Sequence, residues 1–263
     1  MNVKNVVKVM NFHSLLKVDK ARKDAEKYFE VEKVLREMIA SITNNRNYIL
    51  DKRVLKADEY KPILNIYVGS DMGFCGGYNY NVNTAAKADD KSEKIIIGKK
   101  VWKTMSNIKI HISKNDYQNN PKTISDFINT AIVKRKYSQI NVLYNNYENI
   151  SDISWVKKRL FPLDLDEEKI TTEYKEDFVC ESDLDDLLSN MVATYIDYML
   201  QILVKNSLAS ENIMRQNSTT ESLKKIDELE EKKHYADYKK KMQKVSEKTI
   251  ENVVKLKSSG GKS

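Results

Sequence analysis

A glycine-rich stretch, GSDMGFCGG at residues 69–77, is the part of this sequence that most resembles a ligand-binding loop. It follows a short apolar run, as phosphate-binding loops follow a buried strand, and such loops bring backbone amides close to a phosphate group. A dinucleotide fingerprint needs G-x-G-x-x-G, whereas the glycines here stand at positions 69, 73, 76 and 77. We therefore expect these glycines to turn the chain tightly after a buried strand.

Two further glycine motifs fail the test for a P-loop, which needs G-x-x-x-x-G-K-[ST] opening a helix. The run IIIGKK has no glycine at the required upstream position, and GGKS ends the chain with no helix after it. We expect no nucleotide-binding site and no bound cofactor.

The residue types that usually carry catalysis or bind metals are scattered along the chain. The three histidines, His13, His111 and His234, stand far apart and have no nucleophile motif beside them. The two cysteines, Cys75 and Cys180, fit neither a disulfide framework nor a zinc site. We predict no catalytic residue and no metal site, and the cysteine usage is typical of a reducing cytosolic setting.

Composition indicates a folded protein of moderate positive charge. Of the 263 residues, 41% are apolar and 32% are charged, and the net charge is +7 with the basic residues interspersed rather than in blocks. Nucleic acid is therefore not a required partner. The N-terminus lacks the apolar core of a signal peptide, and we expect no stretch long enough to span a membrane, so any membrane link is indirect.

Glycine and proline, which punctuate secondary structure, are confined to the middle of the chain. Apart from the tail SSGGKS, all of them lie between Pro62 and Pro162. Helices tolerate long runs without these residues, whereas sheets need turns. We predict an N-terminal helix in residues 1–58, a central domain in residues 59–180, and a long C-terminal helix with a flexible tail in residues 181–263.

Apolar periodicity supports two helical arms with coiled-coil seams. The first arm carries the stripe Ala21, Ala25, Tyr28, Val31, Leu35, Met38 and Ile42. The second carries Leu223, Ile226 and Leu229, followed by Tyr238, Met242, Val245, Thr249, Asn252 and Leu256. If residues 186–256 form one helix, at ~1.5 Å per residue it is roughly 100 Å long.

The central segment alternates between strand and helix patterns. The runs PILNIYVGS, EKIIIGKK and YSQINVLYNN predict strands, TISDFINTAIVKRK predicts a helix, and a final strand is expected near residues 169–174. This alternation is typical of a small parallel sheet with crossover helices. The predicted fold class is α/β, with an antiparallel coiled coil of long N- and C-terminal helices flanking a small Rossmann-like central domain.

Two motifs resemble signatures of the gamma subunit of rotary F-type ATP synthases. GSDMGFCGGYNYNV is similar to S-D-[RK]-G-L-C-G-G-x-N, and LVKNSLASENIMRQNSTTESLKKIDEL is similar to S-x-A-S-E-x-x-x-R-M-x-A-M-x-x-A-[TS]-x-N. The resemblance extends from about Asn5 to Val254. The matching positions are Ser70, Asp71, Gly73, Cys75, Gly76, Gly77, Asn79, Ser210, Glu211 and Arg215.

The resemblance implies a non-catalytic rotor subunit that couples rotation to ATP hydrolysis or synthesis. Its partners would be three alpha-type and three beta-type head subunits and an epsilon-like subunit or another partner at the foot, on the cytoplasmic face of the cell membrane. In this interpretation the glycine loop is structural, with Gly76 and Gly77 permitting close packing and Cys75 acting as a packed hydrophobe. The expected contacts with the head are Lys17, Lys20, Arg22, Lys240 and Gln243.

The sequence also departs from the family pattern. Near the N-terminus His13 stands where the family has a methionine, and the second motif keeps Arg215 but loses two methionines after it. These departures indicate a divergent member and leave open an alternative: a gamma-like paralogue, in a wall-less bacterium, serving an F-type-like motor with another output such as gliding motility. A Rossmann-like enzyme with a coiled-coil tether is disfavoured by the failed glycine spacing.

The family relation also gives an expected register for the two arms. It sets His13 beside Gln243, and the end of the first arm near Ile42 beside Ser210. Leu35 is then expected near Leu223 and Tyr28 near Leu229 in an antiparallel, left-handed coiled coil.

Overall fold

The two stretches without glycine or proline form long, uninterrupted helices in the computed structural model of the chain. The structure describes residues 3–44, 58–102, 106–149, 152–163 and 183–259. Its helices are α1 (Val3–Asn44), α2 (Tyr78–Ala88), α3 (Lys114–Asn119), α4 (Lys122–Val133) and α5 (Leu184–Ser259). Its strands are β1 (Ile63–Val68), β2 (Glu93–Ile97), β3 (Ile108–Ile112), β4 (Gln139–Tyr147) and β5 (Ile153–Phe161).

The five strands form one sheet in the order β3-β2-β1-β4-β5. The first four are parallel, and β5 pairs antiparallel with β4 at the edge. The central strands β1, β2 and β4 read as nearly continuous apolar runs because parallel strands covered on both faces have no solvent side. This confirms the expected Rossmann-like α/β class.

Side chains alternate between the two faces along each strand, and a separate apolar core packs on each face of the sheet. Leu64, Ile66 and Val68 of β1 belong to the larger core, together with apolar residues of α1, α4 and α5. Tyr67 points to the smaller core on the other face, which α2 covers with Val82 and Ala86. The sheet is therefore the middle layer of three.

Three predicted strands and the predicted helix α4 are confirmed, and the remaining elements of the centre were missed. β3 and β5 were not predicted, and their burial patterns are only partial. Helix α2 begins directly after the glycine loop, which the sequence indicated only as a turn. The strand expected near residues 169–174 lies outside the described residues, and so does the expected domain boundary at residue 180.

By contacts the chain forms two compact units. One comprises residues 12–218, which include the sheet, most of α1 and the first half of α5. The other comprises residues 1–11 together with residues 219–263. The three-part division made from the sequence stays a prediction.

The buried face of α1 differs from the predicted stripe by one position in the middle. Val31 and Met38 were expected in the seam, but they are 39% and 49% exposed. Glu32 and Ile39 are buried instead, with exposed fractions of 4% and 0%. The buried Glu32 carboxylate accepts two hydrogen bonds from Arg36, which offsets the cost of removing it from water.

The two arms are antiparallel, as predicted, but the expected register was wrong. Tyr28 packs on Tyr198 with ring centroids 6.0 Å apart, 31 positions before the expected partner Leu229. Asp24 pairs with Lys205 at 3.2 Å, which is consistent with the same alignment. Leu35 packs against the larger core rather than on Leu223.

The packing of both helices in the core of the α/β domain sets this register. The end of α1, with Ile39 and Ile42, packs in the same core as the start of α5, with Leu188 and Val192. Ile42 is therefore buried with the first turns of α5 rather than near Ser210, and this anchor fixes the alignment of both helices.

Within the other compact unit, the start of α1 and the second half of α5 are also antiparallel. Lys4 pairs with Asp227 at 2.7 Å and with Glu230 at 2.6 Å, and the Asn11 amide donates to Thr219. Residues 231–255 of α5 are all exposed. The seam predicted from Tyr238 to Asn252 therefore packs on nothing in the described part of the chain, and Leu229 is also exposed.

One stretch of α5 is apolar enough to pass a test for a membrane-spanning helix by length and composition. Its mean hydropathy is 1.3 over 18 residues, and 56% of those residues are buried inside the protein. The expectation of no stretch long enough to span a membrane was therefore too strict. A helix that packs in a core can be as apolar as a membrane-spanning helix.

The register leads to a crosslinking prediction in a full-length chain whose native cysteines are replaced by serine. A cysteine pair at Asp24 and Lys205 should be joined by a short thiol-specific crosslinker, because the native side chains are in direct contact. A pair at Leu35 and Leu223 should remain unlinked under the same conditions. Crosslinking is read by mass spectrometry of tryptic peptides, and the opposite ranking would refute the observed register.

Candidate functional site

The two motifs singled out in the sequence come together in space. The loop of residues 69–77 leaves β1 at the carboxyl edge of the sheet, where parallel strands present their connecting loops. Helix α5 passes this edge with Ser210, Glu211 and Arg215. We call the resulting contact the loop–helix joint; it consists of the loop, the start of α3, and residues 207–215 of α5.

Hydrogen bonds within the loop hold its backbone in one shape. The amide of Asn79 accepts from the Ser70 backbone N–H at 3.0 Å and donates to the Ser70 hydroxyl at 2.7 Å. Cys75 is buried, with its sulfur 3.7 Å from the Ser70 hydroxyl and 3.6 Å from the Met72 carbonyl oxygen. Cys75 is therefore a packed residue of the loop, as predicted.

Asp71 connects three loops at the carboxyl edge. Its carboxylate accepts backbone hydrogen bonds from Lys99 at 3.0 Å, Lys114 at 2.9 Å and Asn115 at 2.9 Å. Lys99 follows β2, and the other two residues begin α3 after β3. Charge-assisted bonds of this kind are stronger than neutral ones, so Asp71 acts as a structural brace.

A buried ionic network attaches the loop to α5. Arg215 donates from Nε to the Gly73 carbonyl oxygen at 3.2 Å and forms an ion pair with Glu211 at 2.6 Å. The other oxygen of Glu211 accepts from the Lys114 ammonium group at 2.8 Å. The side chains of Lys114, Glu211 and Arg215 are only 3%, 5% and 6% exposed, so one carboxylate holds two cations out of water.

Neutral side chains complete the joint. Tyr78 donates its hydroxyl to the Ser207 carbonyl oxygen at 2.9 Å, and Ser210 donates to the Asn145 carbonyl oxygen at 2.8 Å. The Asn145 amide donates in turn to the Tyr78 carbonyl oxygen at 3.0 Å. Strand β4, helix α2 and helix α5 are thereby linked through buried bonds.

The environment shifts the pKa of the two groups beside Glu211. Burial alone would lower the pKa of Lys114, but the nearby Glu211 carboxylate and Tyr78 hydroxyl outweigh it, so the pKa is raised. Burial raises the pKa of Tyr78 despite the opposing charge of Lys114. Lys114 stays cationic and Tyr78 stays neutral at physiological pH, which preserves the network.

The groups of the joint bond to one another and to the backbone. Its charged groups neutralise one another, and its hydroxyl groups bond to backbone carbonyl oxygens. Among the described residues, no group of three or more His, Cys, Asp and Glu side chains could hold a metal ion.

Gly76 has the special backbone geometry that was expected of both Gly76 and Gly77, whereas Gly77 does not. Gly69 and Gly98 lie back to back: a Cβ on Gly98 would stand 2.8 Å from the Gly69 carbonyl carbon. Gly76 has φ +55°, which glycine tolerates best, although a side chain there would meet only a distant Met214 atom. Gly77 has φ −78° and nothing within 4 Å of an added Cβ, so the expectation that a side chain would obstruct packing there was wrong.

The five expected head contacts lie in both compact units. Lys17 and Lys20 are exposed on α1 and line a cavity beside the joint, and the Arg22 guanidinium lies 5.7 Å from the centre of the Tyr147 ring. Lys240 and Gln243 are exposed on α5. Their role in head contacts stays a prediction.

Sequence reasoning found the two halves of the joint but missed Lys114, Tyr78 and Asn145. Lys114 lies in a polar stretch, HISKNDYQN, where nothing distinguishes a buried lysine from an exposed one. Only the path of the chain brings its ammonium group to Glu211.

The network predicts a ranking of variants by stability. Glu211→Gln should lower the free energy of unfolding by about 3 kcal/mol, since it leaves two buried cations without a counter-charge. Lys114→Met should cost less, because Arg215 still neutralises Glu211. Exposed Glu221→Gln is the matched control and should stay within about 0.5 kcal/mol of the parent. Urea denaturation followed by circular dichroism measures all three, and equal losses for Glu211→Gln and Glu221→Gln would contradict the network.

The glycine contacts predict a second comparison. Gly98→Ala should lower the free energy of unfolding by about 2 kcal/mol, since alanine at φ +136° is strained and its Cβ meets the Gly69 backbone. Gly77→Ala should change stability by less than about 0.5 kcal/mol. Thermal unfolding of the two variants measures the difference, and a larger loss for Gly77→Ala would overturn this assignment.

Comparison with known proteins gives one consistent family. The family model described as ATP synthase matches residues 1–254. The chain is 28% identical to the ATP synthase gamma chain of Mycoplasma mycoides over 83% of this chain and 81% of that protein. It is 27% identical to the ATP synthase gamma chain of Clostridium perfringens over 87% of this chain and 83% of that protein.

Solved structures with the same fold are parts of ATP synthases. A chain from the central stalk and c-ring of the Tetrahymena thermophila mitochondrial ATP synthase aligns with a TM-score of 0.55 and 18% identity, covering 82% of this chain and 99% of that one. A chain from the Euglena gracilis mitochondrial ATP synthase aligns with a TM-score of 0.57 and 14% identity, covering 94% and 96%. The match over nearly the whole sequence, on a fold with the two motifs joined, establishes that this chain belongs to the ATP synthase family, among relatives that are gamma chains.

Proposed function

We propose that the chain is the central-stalk rotor subunit of a rotary F-type ATPase and has no catalytic activity of its own. One observation carries the proposal: a single helix, α5, is fixed into the α/β domain by a buried ionic network and continues as an exposed helix. A rotor subunit needs both features, because torque passes from a foot domain to a shaft only through a joint that does not slip.

The loop–helix joint is suited to carrying that torque. Arg215 and Glu211 stand on α5, and their partners Gly73 and Lys114 stand on the α/β domain. Rotating the helix about its axis would separate these buried charges, at a cost of several kcal/mol. The joint therefore resists twisting in a way that an apolar contact, which has no preferred direction, does not.

The exposed part of α5 offers the surface for the catalytic head. Apolar side chains remain in solvent there, among them Tyr238, Met242, Val245, Ile250 and Val253. Basic and acidic residues alternate with them. Exposed, mixed contacts suit a shaft that changes partners as it turns, since deeply buried ion pairs would hold it in one orientation.

Lys17, Lys20, Arg22, Lys240 and Gln243 are the proposed head contacts. All five are exposed within their own compact units. Different orientations of an asymmetric shaft would favour different states of the catalytic sites through differential contact energy.

The proposed partners are three alpha-type and three beta-type head subunits and an epsilon-like subunit or another partner at the foot. The proposed location is the cytoplasmic face of the cell membrane, where the chain is held peripherally through the complex. Neither nucleic acid nor direct membrane insertion has a role in this function. The alternative of a motor with another output, such as gliding motility, has no support from the relatives described above.

Reconstitution tests the proposal. The chain mixed with its cognate head subunits should form a one-to-three-to-three complex whose ATPase depends on the chain, and the chain alone should not hydrolyse ATP. Lys240→Gln with Gln243→Ala should reduce that ATPase, whereas Lys87→Gln on α2 should not, because Lys87 lies outside the proposed contact surface. Coupled-enzyme assays measure turnover, and equal turnover by heads lacking the chain would refute the rotor role.

A further inference from the structure

A cavity of about 610 Å³ lies beside the loop–helix joint, within the compact unit of residues 12–218. Helix α1 borders it on one side, the loops after β1 and β2 on another, and helices α3 and α5 on the rest. Three carboxylates line it, from Asp24, Asp71 and Glu211. Its cationic side chains are Lys17, Lys20, Lys99, Lys114, Lys205 and Arg215.

All three carboxylates already have hydrogen-bonded partners. Glu211 is paired with Lys114 and Arg215, and Asp24 is paired with Lys205 at 3.2 Å. Asp71 accepts the three backbone N–H bonds described above. The acidic groups are therefore engaged with partners other than Lys17, Lys20 and Lys99.

Three cationic groups remain without a counter-charge. Lys17, Lys20 and Lys99 form no ion pair with any residue in the described ranges of the chain. Lys17 and Lys20 are three positions apart on α1, so they are neighbours on the helix surface and repel each other. The cavity thus carries a surplus of three positive charges contributed by two separate elements.

A buried neutral donor points to the same kind of ligand. The side-chain amide nitrogen of Gln118 is buried, and no hydrogen-bond acceptor within the described residues satisfies it. Gln118 lines this cavity and also a small one of about 40 Å³ next to Tyr117, whose buried hydroxyl likewise has no partner among the described residues. An unsatisfied buried donor costs about 1–3 kcal/mol, which an acceptor oxygen in the cavity would recover.

The lining also defines the size and chemistry of the ligand. Among the described residues that line the cavity none is aromatic, so none could stack on a nucleoside base, and their apolar contribution is limited to Ala21, Met72 and Leu208. Phosphate oxygens accept hydrogen bonds from several ammonium groups at once. A concave site with a buried donor suits a compact anion better than a peptide carboxylate presented from a protein surface.

We propose that this cavity binds a compact anion carrying two or more phosphate groups, held by Lys17, Lys20, Lys99 and the Gln118 amide. The bound anion would tie α1 to the α/β domain, because its ligands come from both. It would stabilise the folded chain in proportion to the logarithm of its concentration. The inference does not rest on the rotor function, since the site lies wholly within one compact unit of this chain.

Calorimetric titration of the full-length chain tests the site, with inorganic tripolyphosphate, pyrophosphate and orthophosphate as probes in magnesium-free chloride buffer. We expect one tripolyphosphate per chain, affinity falling in the order given, and a rise in melting temperature on binding. Lys17→Gln with Lys20→Gln should weaken binding at least about ten-fold, the scale of a lost charge-assisted bond. The matched control is Lys23→Gln with Lys27→Gln, which makes the same charge change on exposed α1 positions outside the cavity and should leave affinity within about two-fold.

A neutral variant separates a built site from general attraction between charges. Gln118→Met keeps the side-chain length and removes the donor, so it should weaken tripolyphosphate binding by about ten-fold without lowering the melting temperature of the free chain. Equal weakening by the site and control lysine pairs would overturn the proposal, as would absence of binding. So would a preference for ADP over pyrophosphate, or binding of a glutamate-rich peptide in place of the phosphates.

Discussion

The buried contact among Lys114, Glu211 and Arg215 is the interaction on which the rest of this structure depends. Without it, α5 would be held to the domain by apolar contacts and by neutral hydrogen bonds such as that of Ser210 with Asn145. With it, one carboxylate must face two cations and a loop carbonyl at the same time. The cost of separating buried charges then gives the helix a single orientation on the domain.

This arrangement also changes what the carboxyl edge of the Rossmann-like sheet presents to a ligand. In such folds, ligands bind at the carboxyl ends of the strands, where backbone amides are available to phosphate. Here the Asp71 carboxylate of the chain itself takes the amides of Lys99, Lys114 and Asn115. At this edge of the sheet, the Asp71 side chain therefore bonds the backbone amides that such folds otherwise offer to a phosphate group.

The pairing of the two long helices follows from their packing in the larger core. The end of α1 and the start of α5 both pack in the larger core, and this shared packing sets the alignment of the two helices. Ion pairs such as Asp24 with Lys205 accept this alignment rather than create it, since exposed and half-exposed pairs contribute little free energy. Apolar residues of α5 beyond the reach of α1 are consequently left in solvent, available to other subunits.

The sequence by itself determined the class of fold, the two long helices, three central strands and the two motifs, because these depend on local periodicity and on the confinement of glycine and proline to residues 62–162. It did not determine the helix register, the buried position of Glu32 or the partner of Glu211. Those depend on which surfaces meet after the sheet forms. The sequence around a lysine such as Lys114 is the same whether the side chain is exposed or buried. Only the tertiary structure decided that Lys114 holds the helix to the domain, because it places the ammonium group 2.8 Å from Glu211.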